Sequence, residues 1–307
     1  GYSLPPDEYS LRPKVSFSEN FSENFGDTRD AAALEKTVKS SEPEIIFHLA
    51  AQAIVKTAWQ YPAETFSANV MGTVNLLEIL RLFPNFKALI AVTSDKVYEN
   101  AETMRPYDEA DRLGGDEPYA ASKAAAELAV AAYRNAYFKT GPGVATARAS
   151  NVYGGGDLHC DRLIPDLIKA KISGEKAEIR NPDSVRPWQY VLDLLGGYMK
   201  LAEKLFQGGA EFSGCWNFGP PEEELYRVGD ISAMLTGGGV SRKAGAKNFH
   251  EAGLLLLNSE KSRSRLYWRP KMTLESGLAA SVDFYRGMSG GADVTELMER
   301  AISSYMK

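Results

Sequence analysis

Apolar positions along the chain change their period several times. Residues 44–50, EIIFHLA, form a short unbroken apolar run, which predicts a strand buried on both faces, as in a parallel sheet. From 63 to 82 the spacing becomes helical, with Phe66, Val70, Val74, Leu77 and Ile79 recurring every three or four residues. Residues 86–93, FKALIAVT, predict a second buried strand. The Ala-rich stretch 118–138 has no internal Gly or Pro and predicts a long helix, and residues 144–149 predict a third strand. Strand and helix in alternation predict a doubly wound α/β sheet.

Beyond about residue 155 the pattern loosens into short segments punctuated by Gly and Pro. Helices are expected at 161–172, 190–206, 228–235, 274–288 and 293–306. The resulting division assigns residues 1–155, with returning segments near 177–220, to the sheet domain. Residues 156–307 form mainly a smaller lobe interleaved with it.

The 307 residues carry 35 Lys and Arg against 40 Asp and Glu, a net charge of -5, and no basic cluster, which argues against nucleic acid as a partner. Two cysteines, Cys160 and Cys215, supply no disulfide framework and fit a reducing compartment. No apolar run reaches the ~18 residues of a membrane span, and residues 1–14 lack a basic segment followed by an apolar one. The expected location is the cytoplasm. No metal-ligand spacing is present, and His48, inside a predicted strand, reads as a core histidine.

Sheets of this kind normally open with a strand, a Gly-rich turn and a helix whose N-terminal N–H groups receive a pyrophosphate. Gly154, Gly155 and Gly156 follow a strand, but the next glycine is Gly174, so the Gly-x-Gly-x-x-Gly spacing is not met and a tight turn is the reading. The opening GYSL looks like the end of a second strand. The expectation is therefore an upstream unit of roughly 30 residues ahead of Gly1, with the Gly-rich turn.

Tyr119 and Lys123 stand four apart at the start of the long helix, on one face. A cation near a phenol favours the phenolate, which would let Tyr119 act as a general base nearer neutral pH. The strand at 86–93 delivers Thr93-Ser94-Asp95-Lys96 to the carboxyl edge of the sheet, where open α/β folds bind ligands. Hydroxyls and ionisable groups converge there.

The succession HLAAQ (48–52), TSDKVYEN (93–100), YAASK (119–123), ARASNVYGGGD (147–157), DRLIP (161–165), IRNPDSVRPWQYV (179–191) and WNFGP (216–220) resembles the nucleotide-sugar 4,6-dehydratases of the extended short-chain dehydrogenase/reductase family. The resemblance spans about residues 1–288, and the Asp95-Lys96 pair with Glu99-Asn100 is similar to the branch acting on CDP-glucose. It implies a Rossmann-like fold, tightly held NAD as a hydride shuttle, a nucleotide-sugar substrate and a homodimer paired through the helices at 63–82 and 118–138.

By the same resemblance Tyr119 takes the proton of the sugar 4-hydroxyl, Ser94 holds that oxygen, and Lys123 reaches the cofactor ribose. Lys96, standing where the family usually has a glutamate, then removes the C5 proton, and Asp95, with a raised carboxyl pKa, protonates the departing C6 hydroxyl. Asp27, Thr28, Ala50, Ala51, Gln52 and Val152 match cofactor contacts. Asn151, Arg162, Arg180, Arg186 and Asn217 match contacts to the sugar nucleotide, with Arg186 on the diphosphate. A 4-epimerase on the same scaffold would share Tyr119 and Lys123 but would not need Asp95 and Lys96. A non-catalytic remnant is the remaining alternative.

Overall fold

The computed structural model describes residues 1–83, 85–159, 162–179, 181–221, 224–238, 240–242 and 253–307. Arg180, matched above to the sugar nucleotide, and Cys160 lie outside the described residues.

Two short strands, β1 (Tyr2–Ser3) and β2 (Asn24–Phe25), pair in parallel at the start. Helix α1 (Ala31–Ser41) is capped by Asp30, which accepts the Ala33 N–H at 3.0 Å, and leads to β3 (Ile45–His48). After the short α2 (Val55–Gln60) comes a rod in three pieces: α3 (Pro62–Phe66), a π-helical turn over Ser67–Met71, and α4 (Gly72–Arg81). Strand β4 (Ala88–Val92), helix α5 (Pro118–Tyr137) and strand β5 (Gly143–Ala149) follow.

The second half begins with β6 (Asn151–Tyr153), α6 (Leu163–Ser173), β7 (Ala177–Ile179), β8 (Val185–Arg186) and β9 (Trp188–Tyr190). It continues through α7 (Val191–Gly208), β10 (Gly214–Phe218), β11 (Tyr226–Arg227), α8 (Val228–Thr236) and β12 (Val240–Arg242). Helices α9 (Glu260–Arg265), α10 (Leu274–Ser289) and α11 (Val294–Met306) close the chain.

Among the described residues the main sheet runs β10-β5-β4-β3, parallel throughout. The strand period of two sorts β4 between its faces. Leu89 and Ala91 pack with Leu34 and Val38 of α1, Leu77 and Leu80 of α4, and Val130 of α5. Ala88 and Ile90 pack with Leu201 and Leu205 of α7 and with Trp216 and Phe218 of β10. Leu89 and Ile90 are 1% and 0% exposed, so each contributes about 1.5–3 kcal/mol of apolar burial. A third centre, outside this sheet, joins Tyr153, Ile164, Ile168, Trp188, Ile231 and Leu278.

Two expectations are corrected. The 44–50 strand is less covered than a strand buried on both faces: among the described residues β3 pairs with β4, at the edge of the main sheet, with Ile45 40% and Phe47 37% exposed. The 63–82 segment is not one regular helix. Its π turn inserts extra backbone: Leu77 and Ile79 are buried as expected, Asn69, Thr73 and Leu76 join them inside, and Phe66 is 38% exposed.

Candidate active site

The chain turns directly after β4. Ser94 caps a 3-10 turn over Asp95–Val97, its Oγ accepting the Lys96 N–H at 3.2 Å and donating to Asp95 Oδ1 at 3.0 Å. Thr93, Ser94 and Asp95 are all buried, and Lys96 is half-buried. Opposite, α5 starts at Pro118, with Glu117 as its cap accepting the N–H groups of Tyr119 at 2.8 Å and Ala120 at 2.9 Å. That cap puts Tyr119 in the first turn and Lys123 one turn deeper, where it is 6% exposed and donates to the Val92 carbonyl at 3.1 Å.

Burial dominates the electrostatics. It raises the Asp95 pKa, against the opposing pull of Lys96, the Ser94 hydrogen bond and Arg186. It pushes the Tyr119 phenol up to about 12, although the Ser94 hydrogen bond and the Arg162 charge work the other way. It brings Lys123 down to about 8, while the nearby Glu127 carboxylate resists that fall. The expectation that Lys123 lowers the Tyr119 pKa is therefore corrected: desolvation of the phenol prevails, and the ammonium is turned to the Val92 carbonyl. His48 is the core histidine expected, hydrogen-bonded to Thr73 at 3.0 Å and held neutral by burial and then by Lys123, with its pKa lowered to about 4.

Ser94, Asp95, Lys96, Tyr119, Lys123, Arg162 and Arg186 thus share one neighbourhood at the carboxyl edge of the sheet. Ala50, Ala51 and Gln52 follow β3 at the same edge, with Gln52 fixed through its N–H to Asn69 Oδ1 at 2.7 Å and its amide to Thr65 at 2.9 Å. Asp27 is half-buried, its carboxylate bound by Arg29, whose hydrogen bonds lower its pKa. The Thr28 carbonyl accepts from Asn75 at 3.0 Å. Asn151 and Val152 lie on β6, Asn151 half-buried and Val152 39% exposed.

Asn217 is a correction. It is 0% exposed, and its amide is spent inside the protein: Oδ1 accepts from Tyr98 at 2.7 Å, and Nδ2 donates to the carbonyls of Tyr107 at 2.9 Å and Asn258 at 3.1 Å. Both donors of the amide and one lone pair of its oxygen are thus taken inside the protein. Sequence reasoning also missed Glu127 and Arg148, a bidentate ion pair beneath the site with 3% exposure each. Their sole sequence signal was Glu127 standing one turn beyond Lys123.

The residues fit the sugar end of a nicotinamide dinucleotide. Lys123 keeps a cation in a dry position with one of its three donors on Val92, which leaves donors for ribose hydroxyls. The Ala50–Gln52 loop is fixed through the Gln52 backbone to Asn69, whose amide also reaches Ser122 on the helix that bears Lys123. The described residues hold no group of His, Cys, Asp or Glu suited to a metal ion.

A parallel α/β sheet with a buried Tyr-x-x-x-Lys helix at its carboxyl edge defines a Rossmann-like nucleotide-binding protein. The chain belongs to the NAD dependent epimerase/dehydratase family, whose model matches residues 9–213. It is 40% identical over 317 aligned residues to a CDP-glucose 4,6-dehydratase of Salmonella typhimurium, covering 100% of this chain and 88% of that protein. A solved dTDP-glucose 4,6-dehydratase of Streptomyces venezuelae with NAD bound superposes with a TM-score of 0.75 at 26% identity, over 88% of this chain and 82% of the other. A UDP-glucose 4-epimerase structure from Thermotoga maritima, at 24% identity, shows the same fold with a TM-score of 0.78 over 89% of this chain and 87% of that one.

Proposed function

We propose that this chain is an NAD-dependent hydro-lyase that converts CDP-glucose to its 4-keto-6-deoxy derivative and water. The observation that carries the reading is Asp95: a buried carboxyl whose pKa burial raises, next to Lys96 and joined through Ser94 to Tyr119. Burial that favours the neutral carboxyl suits Asp95 to give a proton to a departing hydroxyl. An epimerase working at C4 alone would have no use for it.

NAD, when bound, would supply the hydride acceptor for C4 and the hydride donor for C6. Tyr119 takes the proton of the 4-hydroxyl, and Ser94 holds that oxygen. Once C4 is a ketone, the C5 proton is acidic; Lys96 removes it, Asp95 gives its proton to the C6 hydroxyl, which leaves as water, and as C6 is reduced Lys96 returns the proton to C5. Lys123 and the Ala50–Gln52 loop would hold the cofactor, together with Asp27, Thr28 and Val152. Arg162, Arg186 and Asn151 receive the sugar nucleotide; the planar guanidinium of Arg186 suits a diphosphate because it engages two oxygens at once.

The remaining assignments follow from this reading. The main sheet serves the cofactor, and the lobe built from α6, α8 and α10 closes over the sugar nucleotide. Exposed Phe66, Met71 and Leu128 on the α3–α4 rod and α5 support a homodimer formed through those helices. No helix among the described residues is long and apolar enough to cross a membrane, and a cytoplasmic location is in keeping with a nucleotide-sugar substrate.

Incubation with NAD and CDP-glucose, followed by proton NMR of the sugar, tests the proposal. A new C6 methyl signal is expected. Formation of CDP-galactose instead, or turnover of dTDP-glucose and UDP-glucose in preference to CDP-glucose, would overturn it.

A further inference from the structure

Four hydrogen bonds converge on Glu127. Its Oε1 accepts from Thr93 Oγ1 at 2.6 Å and Arg148 Nε at 2.9 Å, and its Oε2 from Thr146 Oγ1 at 2.8 Å and Arg148 Nη2 at 2.9 Å. The remaining arm of Arg148 donates from Nη1 to the Tyr98 hydroxyl at 2.8 Å, with the guanidinium 4.9 Å from the centre of that ring. Tyr98 passes its own proton to Asn217 at 2.7 Å. Burial works against the Arg148 charge, but the hydrogen bonds and charge of Glu127 outweigh it and raise the pKa.

Thr93 and Tyr98 are the two ends of the turn that contains Ser94, Asp95 and Lys96. Glu127 holds one end and Arg148 the other. The two charges come from different elements, α5 and β5, so the turn is fixed at once to the helix bearing Tyr119 and to the central sheet. A buried ion pair is weak evidence of stability, because a well-packed apolar pair of similar volume often does as well. What an apolar pair cannot do is hold two hydroxyls, five positions apart in the chain, in set positions.

We infer that Glu127 and Arg148 are positioning residues: their ion pair clamps both ends of the 93–98 turn and so sets Ser94 and Asp95 against Tyr119. The inference rests on the dehydratase reading for its catalytic consequence, and on the hydrogen bonds alone for its structural one.

The test compares the parent chain with the double variant Glu127→Leu/Arg148→Met, which keeps the volume apolar, and with the single variants Thr93→Val and Tyr98→Phe, which each release one end. Deuterium exchange of the backbone amides, thermal unfolding and turnover of CDP-glucose with NAD are measured on each. A structural pair would change exchange throughout the fold in step with stability. A clamp predicts exchange faster by about tenfold at amides 94–98 with little change in α7 or α10. It also predicts a kcat for water loss reduced ~10²-fold with KM nearly unchanged.

Unchanged exchange at 94–98 in the folded double variant overturns the clamp. If that variant does not fold, Thr93→Val and Tyr98→Phe decide the matter by the same criterion. A parent chain with no turnover of CDP-glucose overturns the dehydratase reading and the catalytic consequence, whereas the exchange comparison still decides whether the turn is clamped.

Discussion

Asn69 grips Gln52 through both polar groups of its backbone: Oδ1 accepts the Gln52 N–H at 2.7 Å, and Nδ2 donates to the Gln52 carbonyl at 3.0 Å. The second Nδ2 donor reaches Ser122 Oγ at 2.8 Å, and Ser122 donates to the Tyr119 carbonyl at 2.7 Å. One amide, 2% exposed and turned inward by the π turn, therefore ties the loop after β3 to the first turn of α5. Asn69→Asp keeps the shape but removes both donations and buries a charge. It should cost at least about 1–3 kcal/mol of stability and weaken NAD binding. Thermal unfolding and a fluorescence titration with NAD check this; a variant matching the parent in both would show the amide to be dispensable.

Replacing Asp95 with Asn separates the two halves of the proposed reaction. The carboxamide keeps a hydrogen-bonding partner for Ser94 but has no proton to give the departing hydroxyl. Oxidation at C4 should stay measurable as reduced nicotinamide absorbance in a single turnover, while water loss falls by at least ~10²-fold. Equal loss of both steps would remove Asp95 from the role of acid. Because burial disfavours the ionised carboxyl, the same variant should be no less stable than the parent at neutral pH.

Two buried bases set two pH windows. Lys123 titrates at about 8 in the folded protein against an ordinary 10.5, so between those values the unfolded chain binds more protons and stability rises with pH. The contribution is present above 10.5 and is lost as pH falls through 8, a swing on the order of 3 kcal/mol. Lys123→Met should flatten the stability curve there. For His48 the window lies between 6.5 and about 4: stability is full above 6.5 and is lost on acidification, because the unfolded chain takes the proton that the buried ring refuses. Urea denaturation at half-unit steps of pH reads both; a curve in Lys123→Met parallel to the parent across the alkaline window would contradict the assignment.

Leu128 is 60% and Met71 49% exposed, on the helices through which the homodimer is proposed to form. Leu128→Lys should shift the protein from dimer to monomer in sedimentation velocity at micromolar concentration, with little change in the far-ultraviolet circular dichroism. A parent that sediments as a monomer would rule out this interface.

Much of the fold is written in local periodicities. Strands β4 and β5 follow from apolar runs, and α5 from an Ala-rich stretch entered through Glu117 and Pro118. That Tyr119 and Lys123 share one helix face follows from helical geometry, since residues four apart do so in any helix. Ser94, Asp95 and Lys96 were legible because a strand end and a Ser cap place them whatever surrounds them.

Tertiary structure decided the rest, because burial and long-range pairing depend on neighbours remote in the chain. Glu127 meets Arg148 across 21 positions, and Asn217 meets Tyr98 across 119, so no spacing rule identifies the first as a clamp or the second as turned inward. The same apolar run makes an interior or an edge strand according to what lies beside it, and β3 has β4 on one side only among the described residues. The sign of the Tyr119 shift, finally, is a competition between desolvation and nearby charge, and only the packed site shows that desolvation prevails.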